Sequence, residues 1–220
     1  MTHEAAATQT FSGTDFARRA QTRLTFDLPA DVFEQSPVPQ AGDHALDGLP
    51  PGMTLKPPKA AAVLVAVVDH ESEATVILTQ RVATLRTHSG QIAFPGGRID
   101  PEDASPADAA LREAREEIGL DAGHVTPLGY LEPYLTGTGY LVIPTVALVT
   151  PPFRLSLNPD EVHDAFEVPL GFLMEPSNHR RQSRSFGGTL HSFYAMPYAE
   201  RNIWGATAGM LRNLYERLYA

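Results

Sequence analysis

The 220-residue sequence predicts an α/β fold. Three observations carry that expectation. Short apolar runs at Ala61 to Val68, Thr75 to Thr79, Val125 to Leu131 and Leu141 to Thr150 have strand character. A well-delimited amphipathic helix starts after Ser105, and a second apolar stripe of helical spacing (Ile203, Thr207, Met210 or Leu211, Leu214, Leu218) lies near the C-terminus. A chain of this length buries about 70% of its unfolded surface, enough for one sizeable core.

The elements follow in order. Residues 1 to about 10 are polar and alanine-rich and are expected to be disordered, and Thr14 to Leu24 forms a short helix. Prolines and glycines recur from Pro29 to Lys59, which reads as a wrapping segment ending at Pro57-Pro58. Residues 1–58 are thus a tail, a short helix and a Pro-rich segment, and 59–220 form the main folded domain with its C-terminal helix. Within that domain, residues 69–74 join the first two strands as a hairpin. Tyr134 to Tyr140 is a Thr/Gly-rich connection, read as a hairpin turn in preference to a nucleotide-flanking loop. Glu167-Val168 is a further strand, Asp164 to Phe172 leads into a helical region, and Ser183 to Phe193 forms a hairpin through Gly187-Gly188. Trp204 opens the last helix as a core anchor.

The central helix is the informative one. Ser105 is its N-cap, Pro106 its first residue, Asp108 an acid three residues after the cap, and Gly119 its stop. Ala107, Ala110, Leu111, Ala114 and Ile118 form the buried stripe, which leaves an acidic face pointing elsewhere. On that face Glu113, Glu116 and Glu117 fall within an arc of about 100°. Like charges at this spacing cost roughly 0.2–0.5 kcal/mol per pair, and acids near a helix C-terminus also oppose its dipole. A hard divalent cation takes oxygen ligands and relieves that penalty; a solvated face with Arg112 and Arg115 as counterions is the plainer alternative. Upstream, Gly96-Gly97 lets backbone turn tightly or approach a ligand.

Gly97, an acid at Asp103, and Arg112-Glu113-Ala114-Arg115-Glu116-Glu117-Ile118-Gly119-Leu120 together resemble the box of the Nudix hydrolases. The second half matches position by position. In the first half an aspartate replaces glutamate and one extra residue precedes Arg112, so the resemblance assigns Asp103 no firm role. Ile77-Leu78-Thr79-Gln80-Arg81, Arg86, Gly90 and Phe94-Pro95-Gly96-Gly97 resemble the pattern that precedes the box in coenzyme A diphosphatases, with Val82 where serine or alanine is usual. The resemblance implies a Nudix α/β/α sandwich, a mixed sheet between helices. It implies Mg²⁺ or Mn²⁺ held by Glu113, Glu116 and Glu117 with the Gly97 carbonyl, Arg112 orienting a glutamate, and Arg81, Arg86 and Gly96 binding substrate. Two acids are open as general base, Glu113 and Glu161; the latter also reads as a plain loop or helix-start acid.

The implied reaction is hydrolysis of the diphosphate bond of coenzyme A or acyl-coenzyme A to 3′,5′-ADP and (acyl-)4′-phosphopantetheine. The alternatives are a Nudix diphosphatase for ADP-ribose or a dinucleotide, and a non-catalytic nucleotide-binding module, which would be expected to have lost box carboxylates. A net charge of −9 argues against nucleic-acid and anionic-membrane partners. The absence of cysteine excludes disulfides, thiolate metal sites and cysteine nucleophiles. No His-Glu-x-x-His or Gly-x-Ser-x-Gly motif supports zinc or serine hydrolysis, and His88 reads as a polar loop residue. The longest apolar run, Ala60 to Val68, is too short to span a bilayer and no targeting segment is evident, so the cytoplasm is the expected location. Both a monomer and a homodimer are open.

Overall fold

Alternate residues of one ten-residue strand belong to two different cores, and this double-sided burial organises the molecule. Ala62, Leu64, Ala66 and Val68 join one apolar cluster, while Ala61, Val65 and Val67 join a larger one on the other face. A strand buried on both faces reads as a continuous apolar run, which is what Ala61 to Val68 is.

The computed structural model describes residues 11–29, 32–33, 41–48, 57–83, 90–186 and 189–220. Expectations for residues 1–10, Arg86, His88, the turn at Gly187-Gly188 and parts of the Pro-rich segment lie outside these. The elements are α1 (Gly13–Arg23), β1 (Ala41–Gly42), β2 (Lys59–Val68), β3 (Thr75–Arg81), β4 (Ile92–Ala93), β5 (Gly96–Arg98) and α2 (Pro106–Ile118). There follow β6 (Val125–Tyr130), β7 (Tyr134–Leu135), β8 (Tyr140–Val149), β9 (Val162–Pro169), α3 (Leu170–Leu173), β10 (Arg180–Phe186), β11 (Thr189–Tyr198), β12 (Arg201–Trp204) and α4 (Ala206–Leu218).

The main sheet is mixed. Its order is β1-β7-β8-β2-β3-β4, with β5 on β2, β6 on β8 and β9 on β3. β2 and β8 run parallel from Lys59↔Tyr140 to Val68↔Val149. Helix α2 lays Ala109, Ala110, Ala114 and Ile118 on one face, and α1, α4 and the three-stranded sheet β10-β11-β12 cover the other. This is the expected α/β/α sandwich. Phe16 and Ala20 of α1 belong to the larger core. No helix among the described residues is long and apolar enough to cross a membrane.

The hairpin between β2 and β3 forms but is short. Only Val67↔Val76 and Val68↔Thr75 pair before the strands part. Beyond that point β5 takes the edge of β2 at Ala61–Val63, and β4 takes that of β3 at Thr79 and Gln80. Gly96 and Gly97 therefore sit inside a fork in the sheet. On the opposite side of β3, the pairing with β9 shifts register between Gln80 and Arg81, a local irregularity that re-aims the following side chain.

Two readings of the second half need correction. Glu167 and Val168 belong to an eight-residue strand, so the helical region expected after Asp164 shrinks to the four residues of α3. The middle of β9 is half-buried, which blurs the two-residue alternation that marks a strand. Trp204 ends β12, paired with Ala195, and does not open the helix. It is half-buried against Phe193 at a 5.4 Å ring distance, and Gly205, at φ 66°, turns the chain into α4. The Thr/Gly-rich connection is the expected hairpin, with Tyr134↔Val142 and Leu135↔Leu141 paired.

Candidate active site

Helix α2 begins and ends where its caps dictate. Ser105 Oγ accepts the Asp108 N–H at 3.2 Å, and Gly119 closes the helix in the left-handed conformation at φ 66°. A cap of this kind is worth about 1 kcal/mol and fixes which residues face the sheet. The resulting rotation grades the three carboxylates by burial: the side chains of Glu117, Glu113 and Glu116 are 4%, 16% and 56% exposed. The acidic face therefore does not point away from the core as a unit. Glu117 lies beneath the helix, in the fork.

The glycine pair makes room for these acids. The Gly96 N–H donates to Glu117 Oε2 at 3.1 Å, and at φ 154° a side chain there would strike the carbonyl of Ala62. A Cβ on Gly97 would collide with the carboxylate of Glu113. Arg81, from the end of β3, points its Nη1 at Glu117 Oε1, 3.4 Å away. Burial pushes the Glu117 carboxyl up to about 7, against the pull of the Gly96 N–H and Arg81 and with added repulsion from Glu113 and Glu161. Burial also raises Glu113, opposed by Arg112 and reinforced by Glu116 and Glu161.

Arg112 organises the outer side. Its Nε and Nη2 make a fork on Asp103 at 3.0 and 2.9 Å, Nη2 also reaches the Arg98 carbonyl at 3.0 Å, and Nη1 donates to Glu113 at 3.0 Å and Glu116 at 3.3 Å. A bidentate guanidinium–carboxylate pair fixes direction as well as charge. Asp103, 6% exposed, is held below the usual aspartate range by Arg112. The residue without a role in the sequence thus anchors the arginine of the box. Its signal was faint, an acid in the loop before the helix whose partner nine residues on cannot be told from other nearby cations.

Glu161 arrives from a separate loop. The Asn158 N–H donates to the Glu117 carbonyl at 2.9 Å, and the Ser156 N–H to that of Ile118 at 2.8 Å. The Glu161 carbonyl accepts the Val82 N–H at 3.0 Å, and Asn158 Nδ2 contacts Glu161 Oε1 at 3.3 Å. These bonds bring Glu161 into the electrostatic field of Glu113 and Glu117. Asn158 is a support that sequence reasoning did not single out. The structure therefore gathers Glu113, Glu116, Glu117, Arg112, Arg81, Gly96, Gly97 and Glu161; Arg86 lies outside the described residues.

The donor set suits a hard cation. Its side chains are carboxylates, two of them raised by burial and by neighbouring acids, so a positive ion would relieve a repulsion already present. Among the described residues no three acidic or imidazole side chains already form a ready ligand cluster. Arg112 instead holds oxygens of Glu113 and Glu116.

A mixed sheet clasping a capped, acidic helix behind a glycine strand defines the class. The NUDIX domain matches residues 58–186, and the chain belongs to the Nudix hydrolase family. It is 42% identical over 158 residues to the uncharacterized Nudix hydrolase NudL of Photorhabdus laumondii, covering 72% of this chain and 84% of that one. It is 40% identical over 158 residues to NudL of Yersinia enterocolitica, covering 72% and 80%. Among solved structures, a C. elegans Ap4A hydrolase binary complex overlaps at a TM-score of 0.44 with 23% identity, over 50% of this chain and 80% of its own.

Proposed function

We propose that the protein hydrolyses the diphosphate bond of coenzyme A or acyl-coenzyme A, releasing 3′,5′-ADP and (acyl-)4′-phosphopantetheine. The observation that carries this reading is Arg81 meeting Glu117 at 3.4 Å, because it joins the pattern upstream of the box to the box itself. In this reading Glu113, Glu116 and Glu117, with the Gly97 carbonyl, hold Mg²⁺ or Mn²⁺. Bound there, the ion would neutralise phosphate charge and make a water acidic enough to attack at neutral pH.

The chain's own groups do the rest. Arg81, with Arg86, binds diphosphate oxygens through charge-assisted contacts, and the bare backbone at Gly96 lets the phosphate approach closely. Arg112 is a positioning residue, turning Glu113 and Glu116 toward one side. The proton acceptor is one of two acids, Glu113 or Glu161. Glu161 suits the role because its loop is tied to α2 while its carboxyl stands beside the other acids. A cytoplasmic location and the division into a 1–58 tail and a 59–220 catalytic domain belong to the same proposal.

The test is a substrate panel of coenzyme A, acyl-coenzyme A, dephospho-coenzyme A, ADP-ribose and NADH, each with Mg²⁺ or Mn²⁺ and products identified by mass. Coenzyme A or an acyl derivative should show the highest kcat/KM. If coenzyme A is cleaved no better than ADP-ribose, the narrower assignment fails and an ADP-ribose or dinucleotide diphosphatase takes its place.

A further inference from the structure

On the sheet face opposite α2, two cations converge on a tyrosine. Lys59 pairs in register with Tyr140, and Arg98 pairs with Ala61 two residues along. Arg98 Nη2 donates to the Tyr140 hydroxyl at 3.4 Å, and Lys59 Nζ stands 5.5 Å from the centre of the Tyr140 ring. Both cations are exposed, and neither forms a salt bridge among the described residues. The carboxylate acting on Arg98 is Asp100, which lies 3.6 Å from Arg112. In a chain of net charge −9, such a cluster is a local exception to the overall field.

The cluster is also rigidly mounted. The Lys59 N–H donates to the Gly139 carbonyl at 2.9 Å, the Tyr140 N–H to Thr136 Oγ1 at 3.1 Å and the Gly137 N–H to Asp43 at 2.6 Å. The hydrogen bond from Arg98, aided by the charge of Lys59, holds the Tyr140 phenol below its usual range, the mark of a positive local field. Its relation to the acidic site follows from strand geometry. Arg98 is the residue after Gly97, with Cα atoms about 3.8 Å apart. Alternation turns its side chain to the face away from Glu113. A ligand engaging both places must pass over the rim of β5.

We propose that Lys59, Arg98 and Tyr140 form a phosphate-binding rim that receives the 3′-phosphate of the substrate while its diphosphate lies at the glycine pair. This rests on the coenzyme A reading, since coenzyme A carries one phosphate outside its diphosphate and ADP-ribose carries none. A guanidinium, an ammonium and a phenol together offer the donors that a phosphate dianion accepts.

The experiment is calorimetric titration of 3′,5′-ADP and 5′-AMP, without divalent ions, into the wild type and a Lys59→Gln/Arg98→Gln variant. The wild type should bind 3′,5′-ADP about tenfold more tightly, the sum of two exposed charge contacts. In the variant the preference should fall below twofold, with the thermal melt confirming a folded chain. A ¹³Cζ-tyrosine NMR resonance, assigned by Tyr140→Phe, should shift on adding 3′,5′-ADP to the wild type. A preference that survives the double substitution, or is absent from the wild type, overturns the rim. The substrate panel decides the other question. If coenzyme A is no better than ADP-ribose yet the preference collapses in the variant, the rim stands and the coenzyme A assignment falls.

Discussion

Asp103→Asn weakens the anchor of Arg112 without touching a carboxylate of helix α2. The wild-type carboxylate takes two parallel bonds from Arg112, at 3.0 and 2.9 Å. The amide keeps one acceptor and turns its NH₂ toward a second guanidinium N–H, so one charge-assisted bond is lost outright. Such a bond is worth roughly 1.5–3 kcal/mol. Arg112 is 28% exposed and keeps the Arg98 carbonyl, Glu113 and Glu116, so screening reduces the expected loss of stability to about 1–2 kcal/mol. Activity should suffer more. With its far end released, Arg112 no longer fixes Glu113 and Glu116, and loss of an outer support typically costs about 10–100-fold. The assays are urea unfolding and kcat/KM on coenzyme A with saturating Mn²⁺. The pH dependence provides an internal check. Asp103 is held below its ordinary value of 3.8, so its contribution is full at neutral pH and is lost as the pH falls below about 4. The gap between wild type and variant should therefore narrow in acid. A variant within twofold of wild-type activity, or a gap that stays constant to pH 3, refutes the anchoring argument.

Glu116→Gln should abolish metal-dependent turnover, by at least about 100-fold, while shifting the thermal midpoint little, because its side chain is 56% exposed. Retained metal-dependent activity would remove the box from the mechanism. His179 should give a pH signature far from the site. It is 8% exposed, its Nε2 lies 2.7 Å from the Leu173 carbonyl and its Nδ1 3.4 Å from Arg212, an arrangement that suits the neutral ring, and burial lowers its pKa. The unfolded chain therefore binds the extra proton first, and stability should fall as the pH drops below about 6.5. His179→Asn should flatten that limb; an unchanged slope would assign it to other groups.

What the sequence reveals here depends on whether side chains carry the signal. Helix α2 is legible at both ends because Ser105, Pro106 and Gly119 each satisfy or release specific backbone groups. β2 is legible because burial on both faces demands an unbroken apolar run. The fork is not legible, since β5 consists of Gly96, Gly97 and Arg98, and two of these residues have no side chain to form a pattern. Periodicity placed Glu113, Glu116 and Glu117 on one arc but not their depths, which depend on where β5 passes beneath the helix. Trp204 reads as the opening of the last helix, but Gly205 moves the helix start beyond it. The role of Asp103 required seeing that its loop folds back to a residue nine positions later.

The last two carbonyls of α2 have a consequence for how the protein fails. Glu117 and Ile118 accept the N–H groups of Asn158 and Ser156, so the end of the helix and the start of the Glu161 loop share one set of bonds. Fraying the final helical turn would free the loop, and loosening the loop would expose the turn. Glu117 and Glu161, 44 positions apart in the chain, thus sit in a single cooperative unit and would be released in one opening event.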